Sequence, residues 1–368
     1  MRRRILDFIV CPKCRGTFRA QSFGGPGPSA ADDPEIVEGV LECIDCKSAF
    51  PIIEGVPRIL HGDLLVPLTR RYPEYFSRHP TLAPKRTTGT TDLSETLESF
   101  TRQRLDLKPP STKFAEQWRD NLQRNLGQTI SLESLRSKII LDVGCGFGRH
   151  LYVANQFGAA ETIGIDLSGG VDVAYANNKA YPQCHIVQTN LYERAVRDES
   201  VDIVWSFGVL HHLPDPRAGF LAVVPFVKRG GLVVIWVYGY RGMAFTYRLS
   251  HMRSLHRLTK RMSHPARVRA SKFVAALLSA VYWEPLRSLK TLGLRDLVER
   301  LPLSSYVDHP WSARVAGVHD RLSTPITHFH DREELVEWFR GAQLEDILVQ
   351  DTDRRGWRAH GRRPALAQ

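Results

Sequence analysis

The sequence predicts a doubly wound α/β fold built on a parallel sheet, and three observations predict it. Short apolar runs alternate with helix-like stretches from residue 138 almost to the C-terminus. The first run opens into LDVGCGFGRH at 141–150, a loop with three glycines at alternate positions. Ahead of it, CPKC at 11–14 and CIDC at 43–46 mark off a small unit. The 368 residues suffice for two domains, and 43% apolar with 24% charged residues is an ordinary globular composition.

Residues 1–60 read as that small unit. ILDFIV leads into the first cysteine pair, and GGPGPSAADDP at 24–34 is a loop by composition. VEGVLEC alternates into the second pair, and SAFPIIEGVPRIL exits. Thiolates on two Cys-x-x-Cys knuckles can close a tetrahedral zinc site, so Cys11, Cys14, Cys43 and Cys46 are the expected ligands. Four protein ligands leave no open position, which makes such a zinc structural. Cys145 and Cys184 stand alone and read as small buried residues. Residues 61–137 read as a linker and helical segment. Within it, 80–92 is rich in Thr, Pro and Gly, and SFTRQRLDL and KFAEQWRDNLQRNL have one apolar face each.

From 138 to 368 the alternating pattern dominates. KIILDV (138–143), ETIGID (161–166), CHIVQTN (184–190), VDIVWSFG (201–208) and GLVVIWVY (231–238) are the expected strands. EDILVQDT and GWRAHGRRP are the expected last two, paired antiparallel around Arg354–Arg355. DREELVEWF opens a helix, with Asp331 and Glu334 as a capping box. Pro225 falls inside the helix pattern before the fifth strand and should shorten or kink it. Residues 241–325 interrupt the pattern with 15 Lys/Arg against 5 Asp/Glu, nearly the whole of the chain's +11 charge. In FTYRLSHMRSLHRLTKRM (245–262), apolar residues recur every three or four positions, which predicts a basic amphipathic helix.

A glycine loop after a strand can hold NAD, a nucleotide phosphate or S-adenosylmethionine. The dinucleotide fingerprint is G-x-G-x-x-G. Here the glycines are Gly144, Gly146 and Gly148, and Arg149 stands where the third fingerprint glycine belongs. Asp166 ends the second strand, 22 residues after Gly144, where a carboxylate can accept both ribose hydroxyls. Asn190 ends the third strand, placed for an adenine amino group.

The ordered series LDVGCGFG, IGID, QTNL, VDIVWSFGVLHHLPDP and RGGLVVI resembles the class I S-adenosylmethionine-dependent methyltransferases over 138–240 and 326–365. That resemblance implies a Rossmann-like seven-stranded methyltransferase sheet with S-adenosylmethionine as cofactor. It places Gly144, Gly146 and Gly148 along the methionine and ribose, with Asp142 fixing the loop or reaching the ammonium through water. Asp166 would hold the ribose, Asn190 and Leu191 would face the adenine, and Ser206 and Phe207 would lie beneath the cofactor. Asn190 replaces the family's commoner Asp, and Arg229 replaces the Pro before the glycine pair. A second resemblance covers residues 4–60. ILDFIVCPKC, GVLECIDC and AFPIIEGVPRIL are similar to the small zinc-ribbon protein that binds and activates tRNA, rRNA and release-factor methyltransferases.

Methyl transfer from a sulfonium depends mainly on proximity and orientation, with a base needed only for a weakly acidic acceptor. The expected acceptor-side residues are His211, His212 and Tyr238, with His319, His328 and His330 as further candidates. The basic insert admits three readings: an RNA-phosphate surface, a surface for an anionic membrane, or a lid over the acceptor pocket. The reading adopted is methyl transfer to a small molecule, a metabolite or a glycan or lipid intermediate. Its alternative is an RNA or protein acceptor docked by ribbon and insert. An NAD oxidoreductase and a non-catalytic scaffold are the readings from other classes. The N-terminus MRRRILDFIV is a poor signal peptide and FVAALLSAVYW is too short to span a bilayer, so a cytoplasmic location is expected.

Overall fold

The computed structural model describes residues 1–24, 34–84, 101, 114–239, 262–299, 301, 303–323, 326–352 and 356–365. Most of the 80–92 stretch, SFTRQRLDL apart from Thr101, the basic 245–261 run and the Arg354–Arg355 turn lie outside them.

The ribbon is a meander of β1 (Phe18–Ser22), β2 (Gly39–Cys43), β3 (Ala49–Ile53) and β4 (Val56–Ile59). β2 alternates buried and half-buried residues, as a strand with one covered face must. Glu54 and Gly55, both at positive φ, make the two-residue turn between β3 and β4. Two short helices, α1 (Val66–Arg71) and α2 (Pro73–Arg78), follow. In α3 (Ala115–Leu126), Trp118, Leu122 and Leu126 recur every fourth residue and are buried, as the sequence predicts.

The parallel body is β5 (Ile139–Val143), α4 (Arg149–Gln156), β6 (Glu161–Asp166), α5 (Gly170–Asn178), β7 (Cys184–Thr189), β8 (Val201–Phe207), α6 (Pro216–Val223) and β9 (Val227–Tyr238). β5 and β6 are buried almost throughout, because helices cover both faces. Pro225 ends α6 in a 3-10 turn at Val224–Phe226, and β9 begins at Val227, four residues earlier than the apolar run implied.

The insert contributes α7 (His264–Leu278), α8 (Glu284–Thr291), α9 (Arg295–Glu299) and α10 (Trp311–Ser323). They pack on a core of their own around Ala275, Trp283, Leu286, Val298 and Val315. α11 (Arg332–Gly341), β10 (Glu345–Asp351) and β11 (Gly356–Arg362) close the chain, and β10 and β11 pair antiparallel as expected. The capping box does not form: Asp331 makes no side-chain cap. Glu334 instead turns to His330 Nδ1 at 3.0 Å, because the buried imidazole outcompetes an exposed helix end for that carboxylate.

The sheet order is β1-β2-β3-β4-β7-β6-β5-β8-β9-β11-β10. The last seven are the expected seven-stranded sheet, with β11 antiparallel to β9. The ribbon extends it: β4 pairs in parallel with β7, Arg58 opposite Gln188 and Ile59 opposite Thr189. Ile9 also bridges Val196. One core runs through both, from Ile5, Phe8, Leu41 and Phe50 to Leu141, Ile163 and Val187.

Candidate functional site: a glycine cradle, a histidine cluster and a four-cysteine cluster

The cradle sits at the C-terminal end of β5. Gly144, Gly146 and Gly148 all have positive φ, which explains the residue type at each. A Cβ on Gly144 would meet Val209 at 2.2 Å, and one on Gly148 would meet Ala174 at 3.0 Å. Gly148 thus lets α4 pack on α5, the task that the dinucleotide fingerprint gives to a glycine one position later. Asp166 accepts from Gly146 N at 2.8 Å and from Ser168 N at 2.7 Å, which ties the ends of β5 and β6 together.

Asp142 is buried, and its Oδ2 has no hydrogen-bond partner. Burial raises its pKa to about 7. His150 lies 3.8 Å away, but burial holds that imidazole well below its usual range and so neutral. An orphaned buried carboxylate oxygen beside a side-chain-free cradle fits a ligand carrying ammonium and sulfonium charge. The other expected positions are engaged locally. Asn190 Oδ1 accepts from Tyr192 N at 3.2 Å and caps the 3-10 turn Leu191–Glu193. Leu191 is buried in the core. Ser206 Oγ donates to Val143 O at 3.0 Å. Phe207 stacks on Trp205 and meets His150 edge-on.

Beyond β8 and β9 lies the aromatic cluster. His211 stacks on Tyr238 with ring centroids 3.8 Å apart, and Tyr238 N donates to His211 Nδ1 at 3.3 Å. Burial, reinforced by neighbouring histidines, pushes the His211 pKa well down. His212 Nδ1 donates to Ile326 O at 2.9 Å. His328 N donates to His211 O and His330 N to Tyr238 O, so the segment after the insert is stitched to this end of the sheet. The Nε2 atoms of His211, His328 and His330 are buried without a partner. His319 is elsewhere: its Nδ1 lies 3.0 Å from Ser271 Oγ inside the insert. The pairing of His330 with Glu334 is a feature of this cluster that sequence reading missed, and its trace in the sequence is the spacing of four.

The four ribbon cysteines lie with all sulfurs within 4.8 Å of one another. Cys11–Cys46 is 3.6 Å and Cys14–Cys43 is 3.4 Å, near the ~3.8 Å edge of a tetrahedron with zinc–sulfur bonds of about 2.3 Å. The two knuckles match: Arg15 N donates to Cys11 O and Lys47 N to Cys43 O, with Arg15 and Lys47 both at positive φ. Burial pushes the Cys11 thiol up to about 12, a cost that a bound cation removes. The donor set fits structural zinc. Cys145 is buried beside the cradle, with no part in this cluster.

Two family models match this chain: a methyltransferase domain over residues 141–235 and a Trm112p-like protein over residues 2–55. The chain carries a class I methyltransferase domain fused to a Trm112p-like zinc ribbon. It is 36% identical over 228 residues to the protein syc1184_c of Synechococcus, covering 58% of this chain and 49% of that one. It is 32% identical to the tocopherol O-methyltransferase of Arabidopsis thaliana, over 33% of this chain and 36% of that one. It is 28% identical to the tRNA U34 carboxymethyltransferase of Cellvibrio japonicus, over 50% and 62% respectively. The chain thus spans less than two thirds of the length of each. Among the described residues, no helix is long and apolar enough to cross a membrane.

Proposed function

We propose that this protein transfers the methyl group of S-adenosylmethionine to a small-molecule acceptor at the mouth formed by His211, His212, Tyr238, His328 and His330. The observation that carries the reading is the adjacency of two things. An orphaned carboxylate oxygen beside a glycine cradle suits the cationic cofactor, and a cluster of imidazoles stands at the same end of the sheet. The cofactor supplies an already activated methyl group. The acceptor's lone pair forms the new bond to carbon as the carbon–sulfur bond breaks, and its electron pair leaves with the sulfur. The chain's residues orient and exclude water. Asp142 and Asp166 would hold the cofactor's cationic and ribose ends.

Among the imidazoles, His211 is a poor proton acceptor because burial depresses its basicity, so its stacking fixes Tyr238. Burial lowers the His330 pKa as well, but the Glu334 carboxylate at its Nδ1 opposes that shift, which makes His330 the candidate to take a proton from a hydroxyl or phenol acceptor. The reading includes a cytoplasmic setting, where reduced thiols stay available to zinc.

A second reading, an RNA or protein acceptor, draws support from the Trm112p-like region and from the tRNA-modifying relatives. Incubating the full chain and a cell extract with methyl-labelled S-adenosylmethionine separates the two. Label in the low-mass fraction supports the first reading. Label only in RNA or protein overturns it in favour of the second.

A further inference from the structure

The insert's longest described helix has an apolar face that none of the described residues covers. α7 continues through one π-helical turn at Ser279–Trp283. Its inner side buries Ala275 and Trp283 in the insert core. Its outer side presents Phe273, Leu277 and Val281, which are 71%, 52% and 63% exposed. Spaced every fourth residue, they form a single ridge. Contiguous apolar surface of this kind on a folded protein marks an interaction site. Arg269 and Lys272, both exposed, flank the ridge at its N-terminal end. No acidic residue occurs between Arg241 and Trp283, and residues 241–262 add six further Lys/Arg.

We propose that this ridge docks the protein onto an anionic lipid surface. Phe273, Leu277 and Val281 enter the boundary between headgroups and acyl chains, and Arg269 and Lys272 meet the lipid phosphates. RNA would satisfy the cations but leave the ridge in water, because Phe273 is its one ring and bases need aromatic faces to stack on. A second copy would set one insert of net +10 against another. The topology gives docking a consequence. The chain leaves the sheet after Tyr238 and returns at Ile326, where His212 holds its carbonyl. Both roots of the insert lie at the histidine cluster, so a docked insert is tied to that cluster through both of its roots. The surface stands on its own observations and does not depend on the methyl-transfer reading.

Co-sedimentation of the full chain with vesicles of phosphatidylcholine alone, or mixed with phosphatidylglycerol, tests it. The protein is expected to pellet with the anionic vesicles and to be released by salt. Phe273→Asp with Leu277→Asp, and separately Arg269→Glu with Lys272→Glu, should each weaken pelleting about tenfold or more. Thermal unfolding and S-adenosylmethionine binding should be unchanged. If the aspartate pair lowers the melting temperature, Phe273→Ser with Leu277→Ser takes its place. Three outcomes overturn the proposal: wild type stays in the supernatant at low salt; the ridge variants pellet as wild type does; or light scattering shows a dimer that the ridge variants dissociate.

Discussion

Asp142 is the residue whose chemistry is most exposed to test. Its folded-state pKa of about 7 lies above its ordinary 3.8 because burial disfavours the carboxylate. The stability that the protonated form contributes is complete below the ordinary value and is lost as pH rises through 7. A cationic ligand needs the ionised form, so S-adenosylmethionine should bind more tightly as pH rises from 6 to 8, with proton release. Asp142→Asn should flatten that dependence and make the free protein more stable at pH 8, as titration calorimetry and thermal melts at several pH values would show. At Gly144 the φ of +78° and the 2.2 Å approach to Val209 act together. Gly144→Ala should therefore cost about 1–3 kcal/mol and most of the cofactor affinity, read from chemical denaturation and calorimetry.

At the scale of elements, the ribbon and the parallel body are joined by β4 and β7. Arg58 is fully buried there. It donates to Gln188 Oε1 at 3.0 Å and pairs with Asp172 at 2.5 Å, a carboxylate that Arg71 and Tyr72 also engage. Arg58→Ala should destabilise the chain by about 3–5 kcal/mol, because it empties a fully buried site and takes from Gln188 and the half-buried Asp172 a partner that only Arg71 replaces, and only at Asp172. Denaturant titration measures that directly. All seven body strands were legible, since apolar runs bounded by glycine or polar turns leave few alternatives. The order Gly144, Asp166, Asn190 put three candidate residues at the C-terminal ends of neighbouring strands, β5, β6 and β7. The β4–β7 pairing was not legible, because VPRI carries no mark of which strand it joins. Nor was the real use of Glu334, which follows from a buried histidine that only the tertiary fold supplies. Asn190 and Ser206 were singled out by position, but their hydrogen bonds to Tyr192 N and Val143 O depend on backbone geometry that no local pattern encodes.

Over the whole molecule, one sheet and one core carry the four-cysteine cluster and the cradle together. Stripping zinc with a chelator, or Cys11→Ser, should then lower the melting temperature of the whole body, not melt a separate ribbon. Circular dichroism should follow a single shifted transition, whereas two independent transitions would argue that the ribbon folds alone. The central claim concerns the cofactor, and calorimetric titration of the full chain with S-adenosylmethionine and with NAD tests it most directly. Saturable binding of S-adenosylmethionine, weakened by Asp166→Ala, with no heat from NAD, is the expected result. Binding of NAD without binding of S-adenosylmethionine would contradict it.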